Sequence, residues 1–252
     1  MSGSSIEISE ERGIRYLHFG SHWIQGAMRV SRPWALELEY TRDMMITLLL
    51  RPGAGRPRHV LMIGLGAASL PKFLYRHRPH ARLTVIEIDP AVVRAAEQYF
   101  ELPIDPRRLA IEIADGHEYV TSTRRRFDLI IVDGFDAKCN VGMLDTPPFY
   151  AACRGRLSDE GLFVTNFLSR RRGLAAGVKR MDAAFDERTC VLPECSTGNV
   201  IALAAAGKPV DVSLPEMKAQ ALALKRDTGL NLSPTVARLA KLQAGISERF
   251  TL

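Results

Sequence analysis

Cysteine is scarce in this chain: among 252 residues there are four, Cys139, Cys153, Cys190 and Cys195. They show neither the close paired spacing of a zinc site nor the density of a disulfide scaffold, so reduced, mostly buried thiols and no metal are expected. Long apolar runs are also missing. The longest stretch, residues 60–70, covers 11 positions interrupted by two glycines, whereas a membrane span needs roughly 20. A transmembrane protein is therefore not expected. The opening MSGSSIEISEERG has no basic region followed by an apolar one, so it does not read as a secretion signal, and a cytoplasmic protein is expected. Aromatics make up 7%, and none interleaves with the arginine clusters at 76–78, 124–126 and 170–172 as a single-strand binder requires. Those clusters carry much of the net charge of +6. They read as solvated loop charge, and nucleic acid is not an expected partner.

What is present is ordinary globular material, 46% hydrophobic and 25% charged. Apolar residues with glycine punctuation over residues 6–30 suggest a short β-hairpin layer. Residues 35–50 carry Leu36, Tyr40, Met44, Thr47 and Leu48 at helical spacing, ahead of Pro52 and Gly53. From His59 the period changes. HVLMIG, RLTVIEI, LAIEIA, FDLIIVD and GLFVTNF read as buried strands separated by helical segments, and 188–192 and 199–205 supply two more. Strands alternating with helices imply a mostly parallel, Rossmann-like α/β sheet of seven strands covered on both faces. The expected organisation is a hairpin segment and first helix (1–51), a Rossmann-like domain (58–206) and a C-terminal helical extension (207–252) broken near 229–234.

In an open parallel sheet, ligands bind beyond the carboxyl ends of the strands. The residues that end the strands here are Gly64, Leu65 and Gly66; Glu87 and Asp89; Asp115 and Gly116; and Asp133, Gly134, Phe135 and Asp136. The glycines let backbone approach a ligand at a helix N-terminus. Glu87 lies 23 residues after Gly64, where a carboxylate can accept both hydroxyls of a ribose. Asp115 favours an S-adenosyl ligand over a dinucleotide, and Ser69 stands where the third glycine of a dinucleotide fingerprint belongs. Glu87, Asp89, Asp115, Asp133, Asp136 and Asp145 are expected to converge on one rim. A negative pocket in a basic protein suits a cation, and both a sulfonium and a polyamine qualify.

The order of hairpin segment, MIGLG, VIEID, ADG and IIVDGFD resembles the spermidine synthase (polyamine aminopropyltransferase) family, from about Trp23 to Phe167. The resemblance implies a sheet like that of class I S-adenosylmethionine-dependent methyltransferases. It implies transfer of an aminopropyl group from decarboxylated S-adenosylmethionine to a small amine or polyamine acceptor, without metal. Asp133 resembles the catalytic Asp and Asp136 an acceptor-binding Asp, while Tyr40 resembles the acceptor-pocket Tyr. Glu87 resembles the ribose ligand, Asp115 the adenine ligand, and Gln25 the Gln beside the nucleoside.

Three departures from the family stand beside the resemblance. Ala67 replaces the Asp that holds the aminopropyl ammonium. Thr41 and Arg42 stand where the family carries Gln-Glu or His-Glu after the Tyr, and Arg42 would repel a diamine if it points inward. Lys138 adds positive charge at the mouth. Two alternatives stay open: a methyltransferase using intact S-adenosylmethionine, favoured by the loss of an acid at Ala67, and a non-catalytic nucleoside-binding homologue. A homodimer is compatible with the sequence.

Overall fold

The computed structural model describes residues 5–20, 23–51, 53, 55–135, 141–169, 173–242 and 248–252. Asp136, Lys138, Cys139 and the arginine cluster at 170–172 lie outside the described residues.

The N-terminal segment forms an antiparallel meander, β1 (Ile6–Glu11), β2 (Ile14–Phe19) and β3 (Ile24–Arg29). Its inner face, Leu17 and Met28, packs on Ala67, Ala95 and Phe100 of the main body. The helix expected over 35–50 is instead two short pieces, α1 (Glu39–Met44) and α2 (Thr47–Leu50). The Arg42 guanidinium occupies the carbonyls of Leu36 and Glu37, which a helix starting at 35 would have given to backbone amides. Between the two pieces the bonds tighten to i→i+3: Met45 to Arg42, Ile46 to Asp43 and Leu48 to Met45.

The main body follows: β4 (His59–Ile63), α3 (Ser69–His77), β5 (Arg82–Glu87), α4 (Pro90–Tyr99), β6 (Leu109–Ile113), α5 (Gly116–Ser122) and β7 (Phe127–Val132). Then come α6 (Pro147–Arg156), β8 (Leu157–Leu168), α7 (Leu174–Ala184), β9 (Thr189–Val191) and β10 (Asn199–Ala205). The seven strands lie in the order β6-β5-β4-β7-β8-β10-β9, with β4 to β8 parallel and β10 antiparallel to both neighbours. This is the mostly parallel sheet that the alternating apolar segments predict. Side chains alternate across it: Val60 and Met62 of β4 join one core, Leu61 and Ile63 the other.

The C-terminal extension holds α8 (Leu214–Thr228) and α9 (Ser233–Leu242). A Ser213–Glu216 capping box starts α8, and Gly229 in the left-handed region ends it. The extension is not wholly helical. β11 (Asp211–Ser213) pairs with β12 (Arg249–Thr251) and buries Phe250.

Candidate active site

The register of the parallel strands brings their carboxyl ends to one level. Ile63 faces Ile86 on one side and Val132 on the other, Glu87 faces Ile113, and Val132 faces Thr165. The next residues along each strand, Gly64, Asp133 and Asn166 among them, therefore form a single rim. Beyond it opens a cavity of about 600 Å³, walled on one side by the meander residues Phe19, Trp23, Ile24 and Gln25 and floored by the strand ends. Gln25, Tyr40, Gly64, Gly66, Glu87, Asp115, Gly116 and Asp133 all line it. Of the site residues expected from the sequence, only Asp136 lies outside the described residues.

Gly64 is fixed by two requirements at once. Its φ is +96°, and a Cβ there would sit 2.3 Å from the Asp133 carbonyl oxygen, so a side chain would push β7 away. Glu87 ends β5 and is 8% exposed. Its Oε2 accepts the Leu65 amide and its Oε1 the Asp89 amide, each at 2.9 Å. Burial lifts its pKa, and the two backbone amides oppose that rise. Each oxygen keeps a further lone pair for a ligand hydroxyl. Asp115 caps α5 through Oδ1, which accepts from the Glu118 amide at 2.9 Å.

Asp133 is the centre of the other half. Tyr40 donates its hydroxyl to Oδ2 at 3.1 Å, and Asn166 Nδ2 donates to Oδ1 at 2.9 Å. Behind Asn166 a relay continues: Asn199 Nδ2 to Asn166 Oδ1 at 3.0 Å, then Thr197 Oγ1 to Asn199 Oδ1 at 2.7 Å. Burial raises the Asp133 pKa against both hydrogen bonds. Burial, and then the Asp133 charge, hold Tyr40 well above its usual phenol range, so it stays a donor. The relay asparagines were not foreseen from the sequence. Their signal is present, however: Asn166 interrupts the apolar GLFVTNF strand one residue beyond the level of Val132.

The expected ring of acids is smaller than the sequence suggests. Asp89 caps α4, accepting from the Ala91 amide. Asp145 is engaged by Arg180 at 2.6 Å and by the Tyr150 hydroxyl. Neither lines the cavity, which leaves Glu87, Asp115 and Asp133 as its acids among the described residues. Two departures from the family lose their force. Arg42 points to backbone carbonyls outside the cavity and Thr41 bonds the Leu38 carbonyl. Ala67 faces the meander and not the ligand space: a Cβ on Gly26 would fall 2.5 Å from its methyl. The described arginine clusters precede β5 and β7, at the opposite edge of the sheet. There Arg76 lies over Trp34, and Arg126 bonds the Leu157 carbonyl.

Residues 38–170, which carry Tyr40, the glycine turn, Glu87, Asp115, Asp133 and Asn166, match the spermine/spermidine synthase domain model. The chain belongs to the spermine/spermidine synthase family. A polyamine aminopropyltransferase of Neisseria meningitidis serogroup A is 35% identical over 247 residues, 98% of this chain and 93% of that protein. Among solved structures, human methyltransferase-like protein 13 in complex with SAH is 25% identical, with a TM-score of 0.67 over 76% of this chain and 93% of that one. A spermidine synthase in complex with the transition state analogue AdoDATO superposes with a TM-score of 0.59 at 22% identity, over 82% of this chain and 75% of that one. The sheet is thus shared by the family and by methyltransferases. Among the described residues no cluster of three or more His, Cys, Asp or Glu could hold a metal ion, and no helix is long and apolar enough to cross a membrane.

Proposed function

We propose that this member of the family transfers the aminopropyl group of decarboxylated S-adenosylmethionine to a small amine or polyamine, releasing methylthioadenosine. The observation that carries the reading is Asp133, held at both oxygens by Tyr40 and Asn166 on the wall of a cavity whose other half presents Glu87, Asp115 and the glycine turn. The acceptor nitrogen attacks the aminopropyl carbon next to sulfur. A C–N bond forms, the C–S bond breaks with its electron pair going to sulfur, and one proton leaves the nitrogen. An amine is protonated at neutral pH, with a pKa near 10, so a proton acceptor at the nucleophile is needed. Asp133 suits that role, because burial raises its basicity and its two fixed partners leave lone pairs free to orient the amine. Glu87 and Asp115 would hold ribose and adenine, with Gln25 beside the nucleoside. Gly64 and Gly66 would give the ligand close backbone approach, and Gly116 opens α5 next to Asp115. Asp136 remains, with Tyr40, the proposed acceptor contact.

Methyl transfer from intact S-adenosylmethionine is the second reading, supported by the likeness to methyltransferase-like protein 13. Ala67 does not favour it, since its methyl packs against the meander and away from the ligand space. The test is methylthioadenosine release from the decarboxylated donor with a panel of diamines, longer polyamines and amino-carboxylates, beside calorimetry with both donors. Amine-dependent release supports the proposal. Tight binding of intact S-adenosylmethionine alone would replace it with the second reading, and binding of neither donor with a non-catalytic protein.

A further inference from the structure

The helix that carries Tyr40 cannot hold itself in place. α1 has six residues, and its N-cap, Leu38, offers no side-chain bond. An isolated helix of that length is unstable in water. Beside the core packing of Tyr40 and Met44, its polar anchors are Glu39 and Asp43, one turn apart on the same face, and both meet α9 of the C-terminal extension. Arg238 donates one guanidinium nitrogen to Glu39 Oε1 at 2.7 Å and the other to Asp43 Oδ2. Thr235, one turn earlier on α9, donates to Asp43 Oδ1 at 2.7 Å. The second oxygen of Glu39 accepts the Ser196 amide at 3.1 Å and the Ser196 hydroxyl. Ser196 opens the segment that brings Thr197 and Asn199 to the cavity. One guanidinium therefore ties α9 to the Tyr40 helix, and Glu39 passes that tie on to Ser196, next to the relay that ends on Asp133.

We infer that Arg238 is a positioning residue that sets Tyr40 and the Thr197–Asn199 wall against Asp133, and through them the affinity for the acceptor. This inference rests on the aminopropyl transfer proposed above. Asp43 is 2% exposed. Without Arg238, two carboxylates would face each other one turn apart, one of them buried with a hydroxyl as its remaining partner. Removing one member of a buried pair is strongly destabilising because the other charge is left behind. Relief comes from displacing α1, and with it the Tyr40 hydroxyl. The nucleoside half, built on β4, β5 and β6, shares none of these contacts.

The test uses the full chain with Arg238→Met, Arg238→Lys and Glu39→Gln. In Arg238→Met the acceptor KM should rise tenfold or more while the methylthioadenosine Kd stays within twofold of wild type. Arg238→Lys, which restores the charge but not the two-pronged geometry, should fall between. Hydrogen exchange of residues 39–44 and 196–199 should quicken at least tenfold, with the amides of β4 and β7 unchanged. Acceptor KM and α1 exchange both at wild-type values would overturn the inference. So would proportional losses in KM, kcat and methylthioadenosine affinity that track the melting temperature, which is the pattern of a purely structural residue. Where Arg238→Met does not fold, the other two variants decide the same question. Absence of turnover in the wild type, with quickened α1 exchange in the variants, would overturn the aminopropyl-transfer reading and leave the clamp standing.

Discussion

The Tyr40 hydroxyl meets Asp133 Oδ2 at 3.1 Å across 93 residues of chain, while Asn166 holds the other carboxylate oxygen from the neighbouring strand. A carboxylate gripped this way is oriented but not neutralised, since both partners are uncharged. Burial then raises its pKa. The native state binds the Asp133 proton more tightly than the unfolded chain does, so ionised Asp133 costs stability at every pH above its raised pKa. That cost is relieved as pH falls through it.

Asp133→Asn should therefore lower turnover by about 10² to 10⁴, the contribution of a positioned proton acceptor, while the melting temperature at pH 7 stays level or rises. Asn can accept from Asn166 and donate to the Tyr40 oxygen, so the network survives. In the wild type, kcat/KM should climb with pH through the raised Asp133 pKa, and that limb should vanish in the variant. Kinetics and melts on the same preparation check both halves. A drop in stability matching the drop in rate would mark Asp133 as structural.

Glu87→Gln should weaken methylthioadenosine binding by about 1 to 3 kcal/mol, the cost of degrading charge-assisted hydrogen bonds to a ribose. The amide also turns a donor toward either the Leu65 or the Asp89 amide, both of which the carboxylate now accepts. Calorimetric titration measures the loss, and unchanged affinity would remove the nucleoside assignment from this carboxylate.

The two tryptophans give a direct optical report of cavity filling. Trp23 is 59% exposed on the cavity wall, whereas Trp34 stacks on Tyr75 beneath Arg76, beyond the cavity. Saturating methylthioadenosine should shift or quench the emission, and Trp23→Phe should abolish that change while Trp34 continues to emit. A ligand response that persists in Trp23→Phe would place the binding event elsewhere.

How much of this was legible in the sequence follows from where each signal is stored. Strand ends are local: an apolar run closing on Gly64, Glu87, Asp115 or Asp133 announces its place at the rim, and all four line the cavity. Direction of side chains is not local. Asp89 and Asp145 look like rim acids in one dimension, yet one caps its own helix and the other meets Arg180 from α7. Arg42 and Ala67 fail for the same reason, since a carbonyl of the preceding turn and a glycine on β3 decide where they point. Asn199 and Arg238 needed the tertiary pairing of β10 with β8 and of α9 with α1.

Lys72 is fully buried, with its ammonium 3.0 Å from Met28 Sδ and 2.5 Å from the Phe100 carbonyl. Burial lowers its pKa from 10.5 to about 8, so the unfolded chain binds more protons between those values and stability should rise with pH across that window. The difference corresponds to a cost of about 3 kcal/mol below pH 8. Lys72→Met should therefore raise the melting temperature at pH 7, with the gain fading toward pH 10.5. Denaturant melts at both pH values check it, and a gain independent of pH would assign the effect to packing alone.

Ala67→Asp separates the family pattern from the geometry of this chain. In the family an acid at this position holds the aminopropyl ammonium, so the sequence alone predicts a gain in preference for the decarboxylated donor. Here the Ala67 methyl packs with Leu17, Met28 and Phe100 against Gly26 of β3, in an apolar cluster beside the Lys72 ammonium on Met28. A carboxylate placed there either stays unpaired in apolar surroundings, at several kcal/mol, or turns to Lys72, and in both cases it is lost to the ligand. The expected outcome is a lower melting temperature, a loosened meander and no change in the ratio of affinities for decarboxylated and intact S-adenosylmethionine. Paired calorimetric titrations of the two donors measure that ratio. A rise of tenfold or more toward the decarboxylated form would show that residue 67, just after the glycine turn, swings into the cavity when ligand binds, and would return Ala67 to the site.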